Sequence, residues 1–75
     1  MYDNMNYCIL IYYENKSHHT WIYDVNTISE AMETILNIFK ANNYSIDNDP
    51  YMKRISHAEI LNVKTGKIIK TITNT

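Results

Sequence analysis

The stretch Tyr7-Cys8-Ile9-Leu10-Ile11-Tyr12-Tyr13 decides how this chain folds. Its β-branched and aromatic residues favour a strand, along which successive side chains point to opposite faces. Tyr7, Ile9, Ile11 and Tyr13 then share one face, and Cys8, Leu10 and Tyr12 share the other. A solvated sheet face would be polar, so a strand apolar on both sides belongs inside a sheet that is covered twice. A helix can cover one face; a partner chain or a ligand is expected over the second.

Outward from this strand, the polar run Glu14 to His19 reads as a turn, and Thr20 to Val25 alternates again, with Trp21, Tyr23 and Val25 opposite Thr20, Ile22 and Asp24. The two strands form a predicted hairpin. Thr27-Ile28-Ser29-Glu30 fits a capping box, with the Thr27 hydroxyl accepting from the Glu30 amide and the Glu30 carboxylate reaching back to the Thr27 amide. From there Ile28, Ala31, Met32, Ile35, Leu36 and Ile38 or Phe39 make an apolar stripe at helical spacing. Acidic residues early and Lys40 late suit the helix dipole, and Asn42-Asn43 offers a left-handed C-cap. Tyr44 to Lys53, with its Asp-Asn-Asp-Pro cluster, reads as a loop. Strands are expected over Arg54 to Val63 and Ile68 to Thr73, joined by Lys64-Thr65-Gly66-Lys67, which holds the only glycine.

The element order is ββαββ, an α+β fold. A crossing from the second strand through the helix sets the third strand parallel to the second, with room for one strand between. The predicted sheet order is therefore 2-1-3-4, mainly antiparallel, with one helix packed on one face. On the third strand, Ser56, Ala58 and Ile60 are expected beneath the helix, and Ile55, His57, Glu59 and Leu61 on the open face. Trp21 and Tyr23, and Lys67 and Lys70, are expected on the two edges.

Seventy-five residues make a single domain, residues 1–75, with residues 1–6 expected to be disordered. The chain is 45% hydrophobic and 20% charged, which places it among folded sequences. Seven Tyr and one Trp stand against one Phe, a bias toward side chains that suit half-wet contact surfaces. One cysteine cannot form an internal disulfide, and the N-terminus shows no basic segment followed by an apolar run, so a cytoplasmic location is expected. No stretch approaches the roughly 20 apolar residues of a membrane span. The net charge of −1 divides along the chain, with residues 24–50 at −4 and residues 51–75 at +4. Such a polarity steers a partner or pairs with itself.

Chemistry-bearing patterns are sparse. His18, His19, His57 and Cys8 lack the paired spacing of zinc sites, and no metal or other cofactor is expected. Cys8 in mid-strand reads as a small core residue. Asp47, Asn48 and Asp49 lack the glycine and distal glutamate of a calcium loop. Thr65-Gly66-Lys67 lacks the rest of a phosphate-binding loop. Nothing points to an enzyme. The net negative charge and the single Arg argue against nucleic acid, although Tyr and Trp beside a basic hairpin are the ingredients of a weak single-strand or nucleotide binder.

In its abundant Asn, Ile, Lys and Tyr, its opening Tyr-Cys-Ile-Leu-Ile-Tyr-Tyr-Glu, its helix Thr-Ile-Ser-Glu-Ala-Met-Glu-Thr-Ile-Leu-Asn-Ile-Phe-Lys and its closing Ala-Glu-Ile-Leu-Asn-Val-Lys-Thr-Gly-Lys-Ile-Ile, the chain resembles the small orphan accessory proteins of phages and mobile elements of AT-rich bacteria. Anti-CRISPR and other anti-defence proteins are among them. The resemblance implies a non-enzymatic inhibitor that binds and blocks a host protein, acting in the host cytoplasm. The expected contact surface combines Tyr12, Tyr13, His19, Trp21 and Tyr23 with Tyr44, Asp47, Asp49 and Tyr51. A nucleotide or small-ligand sponge, with its site at a homo-oligomer interface, is the alternative. A homodimer is expected as well, because so short a chain with a doubly apolar central strand gains from burying its second face.

Overall fold

The computed structural model describes residues 6–14, 19–49, 51 and 53–75, with the side chains of residues 19–23 outside that set. Strands β1 (Tyr7–Tyr13) and β2 (His19–Val25), helix α1 (Ile28–Asn48), and strands β3 (Ile55–Asn62) and β4 (Lys67–Thr73) follow in that order. All pairings are antiparallel and the sheet order is β2-β1-β3-β4. This is the predicted ββαββ α+β fold, with the doubly apolar β1 in the interior. The helix lies over β1, β2 and β3 and leaves β4 uncovered. Residues 1–5, most of the segment expected to be disordered, lie outside the described residues. So do residues 15–18 of the expected turn, while the Asn6 carbonyl accepts from the Val63 N–H at 2.9 Å.

The core forms where the sequence pattern placed it. Ile9 and Ile11 of β1, Val25 of β2, Ala31, Ile35 and Phe39 of α1, and Ala58 and Ile60 of β3 are all buried. Tyr7, Tyr13, Met32, Ile38 and Ile72 pack around them. Ile28 and Leu36, counted in the apolar stripe, lie outside it, with Leu36 56% exposed.

Ile55 joins this core at 3% exposure, contrary to its expected place on the open face. The reason is a bulge. Tyr12 pairs with His57 but Tyr13 pairs with Ile55, so Ser56 is the extra residue and the two-residue alternation slips there. A second irregularity separates the pairs Cys8–Asp24 and Leu10–Trp21, so Trp21 and Val25 do not keep one alternation along β2. The expected aromatic edge of Trp21 and Tyr23 falls on side chains outside the described set. A third, between Ile60–Lys70 and Leu61–Ile68, leaves Ile69 unmatched on β4.

The helix begins as expected and ends later. Thr27 caps it, its hydroxyl accepting from the Glu30 N–H at 3.0 Å, while the Glu30 carboxylate accepts from the Asn26 N–H at 3.1 Å, one residue before the expected Thr27 amide. No left-handed cap forms at Asn42-Asn43: the helix runs on through Tyr44-Ser45-Ile46-Asp47-Asn48, most of the expected loop. Tertiary hydrogen bonds explain this. Asn42 accepts from the Ile55 N–H at 3.0 Å and donates to the Lys53 carbonyl at 2.9 Å. Asn43 and Asn74 exchange amide hydrogen bonds at 3.0 and 3.1 Å, and Asn74 also donates to the Ile55 carbonyl at 2.8 Å. Helical backbone at both asparagines costs roughly 0.7 kcal/mol each at most relative to Ala, less than these bonds return. The stop comes at Asp49, which is extended, as the following Pro50 requires.

On the second face of the sheet, Cys8 is 0% and Leu10 5% exposed in the single chain. Much of the apolar surface for which a partner was expected is therefore covered already. Gly66, at φ +74°, supplies the left-handed position of the β3–β4 turn, and the Asn62 side chain accepts from the Lys64 and Thr65 N–H groups.

Candidate functional site

Late termination of the helix creates the most exposed aromatic surface among the described residues. Tyr44 is 72% and Tyr51 91% exposed, and Asp47, Asn48 and Asp49 between them are exposed too. Asn42 and Asn43 anchor the preceding turn to the start of β3 and to Asn74 just after β4, so this end of α1 is held at its base. An Asp49 carboxylate oxygen accepts from the Tyr51 N–H at 3.0 Å and turns the chain just after the helix. Asp47 occupies the last helical turn, which contains no basic residue. A carboxylate there faces the negative end of the helix dipole, an arrangement that costs about 0.3–1 kcal/mol.

The remaining expected contact residues are placed elsewhere. Tyr13 packs against the core on the helix side, paired with Ile55, while Tyr12 lies on the opposite face, paired with His57. Tyr12 therefore does not share a face with Tyr13 or with the helix end. Position 19 pairs with Tyr12 and position 21 with Leu10, and the side chains of His19, Trp21 and Tyr23 lie outside the described set.

On that second face a small polar cluster surrounds Tyr12. Its ring stacks on His57 with centroids 4.5 Å apart and planes 8° from parallel, and its hydroxyl donates to Glu59 at 2.8 Å. Ser56 Oγ lies 3.0 Å from His57 Nδ1. The hydrogen bond to the Glu59 carboxylate, helped by burial, raises the Tyr12 phenol above its ordinary value. A phenol so held ionises only at a pH above its ordinary range. Burial, and then the Asp24 charge, raise the Cys8 thiol above its ordinary value, which favours its protonated form.

A shallow groove of about 460 Å³ runs between the end of β2 and the helix, lined by Asp24, Val25, Glu30, Thr34, Asn37, Ile38 and Ala41. Its charged residues are both carboxylates, an electrostatic environment that opposes a nucleotide phosphate. Among the described residues no three His, Cys, Asp or Glu side chains come together as a metal site, and no helix is long and apolar enough to cross a membrane. No protein-family model matches the chain, and comparison with curated proteins and with solved structures finds no match.

Proposed function

We propose that the chain is a non-enzymatic interaction protein that docks on a protein partner through the end of α1, with Tyr44 and Tyr51 as anchors flanked by Asp47 and Asp49. The observation that carries this reading is the combination of two largely exposed tyrosines with a carboxylate in the last helical turn. Solvent-facing rings contribute little to folding, and the carboxylate opposes it. Partner binding is the role such residues serve: Tyr is enriched among the few residues that dominate interface energies, and a rim of charge sets orientation and encounter rate. Blocking a surface of a host defence protein, as the likeness to anti-defence proteins implies, needs no more than this.

Affinity capture from a bacterial host lysate, with mass spectrometry, tests the proposal. The wild-type chain should retain a specific protein that Tyr51→Ala and Tyr44→Ala each release, since a central anchor typically contributes about 2 kcal/mol or more. Equal recovery of that protein by all three chains would remove the helix end as the contact surface.

A further inference from the structure

Strand β4 is a sheet edge with no described strand beyond it and no helix over it. Its main chain alternates between partners on β3 and the open side. The Asn74 N–H donates to the Ser56 carbonyl at 3.0 Å, so the same two-residue period turns Ile72 and Lys70 toward β3 and sends the N–H and C=O groups of Thr71 and Thr73 outward. At the start of β4, Ile68 is 42% and Ile69, the unmatched residue of the bulge, 41% exposed, and Val63 in the preceding turn is 44% exposed. From residue 60 to the C-terminus the chain holds Lys64, Lys67 and Lys70 and no acidic residue.

We propose that this edge takes up an extended acidic segment of a partner protein as a fifth strand, a surface separate from the helix end. Main-chain hydrogen bonds to Thr71 and Thr73 supply the strand pairing, Ile68, on the open face with Leu61, meets the apolar side chains of one face, and Lys67 and Lys70, on the helix face with Asn62 and Ile60, meet the carboxylates of the other. Charge disfavours a second copy as the occupant. A fully overlapped antiparallel copy sets Lys70 directly opposite Lys70, in the close non-hydrogen-bonded type of pair, where like charges are destabilising. Edge lysines are a common guard against such self-pairing. Nucleic acid fits less well, because β4 has no aromatic residue on which a base would stack and its outward groups are spaced for a peptide backbone.

The test uses the full chain and a fluorescent ten-residue peptide in which Val and Thr alternate with Asp and Glu. Saturable binding is expected, with no binding of a counterpart carrying Lys at the acidic positions. Lys67→Glu combined with Lys70→Glu should weaken it by about tenfold or more, with the circular dichroism spectrum unchanged. An acidic peptide N-methylated on alternate residues, unable to pair with Thr71 and Thr73, should lose binding on the unmodified protein. Equal binding of the methylated peptide, or of the lysine counterpart, would overturn strand addition. Sedimentation showing that Lys70→Glu converts a dimer to a monomer would overturn it too, by giving the edge to a second copy.

Discussion

Asn74 is the only buried polar residue among those described, and it ties three parts of the chain together. Its amide pairs with Asn43 of α1 and donates to the Ile55 carbonyl, while its backbone N–H donates to Ser56 across the bulge. Removing the side chain takes from the Ile55 carbonyl one hydrogen bond and from the Asn43 amide both of its bonds to Asn74. Asn74→Ala should therefore cost about 1–3 kcal/mol in urea unfolding, and adding Asn43→Ala should cost less than the sum of the two separate changes. Tyr12 gives a prediction in pH. Its folded-state ionisation lies above the ordinary value near 10, so its contribution to stability is complete below that pH and is lost as pH rises through the raised folded value. The alkaline fall in melting temperature should be shallower in Tyr12→Phe, which has no phenol to ionise. Gly66 was legible in the sequence, because glycine alone enters its φ region without strain. Asn74 was not, because nothing local distinguishes an asparagine that closes a tertiary latch from one that ends a strand.

Among the elements, α1 shows where local signals hold and where they fail. Its start follows from Thr27 and Glu30, whose bonds span three or four residues and are present in any helix begun there. Its end depends on partners that are distant in sequence: Asn42 reaches residues 53 and 55, and Asn43 reaches residue 74. Propensity therefore favours a stop that tertiary bonds override. The added turns carry Asp47 at the wrong pole of the helix dipole, so Asp47→Lys should raise stability by about 0.5–1 kcal/mol in chemical denaturation while lowering recovery of the captured partner. A variant that loses stability instead would show that Asp47 is held there for folding rather than for contact. β3 presents the same contrast. Its existence and pairing follow from pattern, but at the bulge that turns Ile55 inward Asn42 holds the Ile55 N–H and Asn74 the Ile55 carbonyl, partners that lie far off in sequence.

For the whole molecule, the burial of Cys8 and Leu10 within one chain changes the balance of self-association. Among the described side chains, the second face offers a dimer the Tyr12–His57 plate, Leu61 and Ile68. The prediction at this scale is a concentration-dependent dimer: sedimentation should give the 8.9 kDa chain mass at low micromolar concentration and a heavier species only well above it, with Tyr12→Lys abolishing the shift. A stable 17.8 kDa species at all concentrations would require a larger contact. Charge is also distributed on this scale, with Asp47 and Asp49 at the helix end and Lys64, Lys67 and Lys70 along and beside β4. The two proposed surfaces thus select partners of opposite sign.

By itself the sequence determined the ββαββ order, the interior place of β1, the N-terminal cap of α1, the glycine turn and most of the core. Each of these rests on short-range periodicity, on a residue with a restricted or unusual backbone range, or on the rule that a crossover leaves room for one strand. The tertiary structure alone decided where α1 stops, that Ile55 faces inward, that Cys8 and Leu10 are covered within the chain, and that Tyr44 and Tyr51 stand exposed on one anchored helix end. The physical reason is common to the first two. They go with hydrogen bonds between residues 11 to 31 positions apart, and a side-chain amide carries no local mark of the distant partner it will meet.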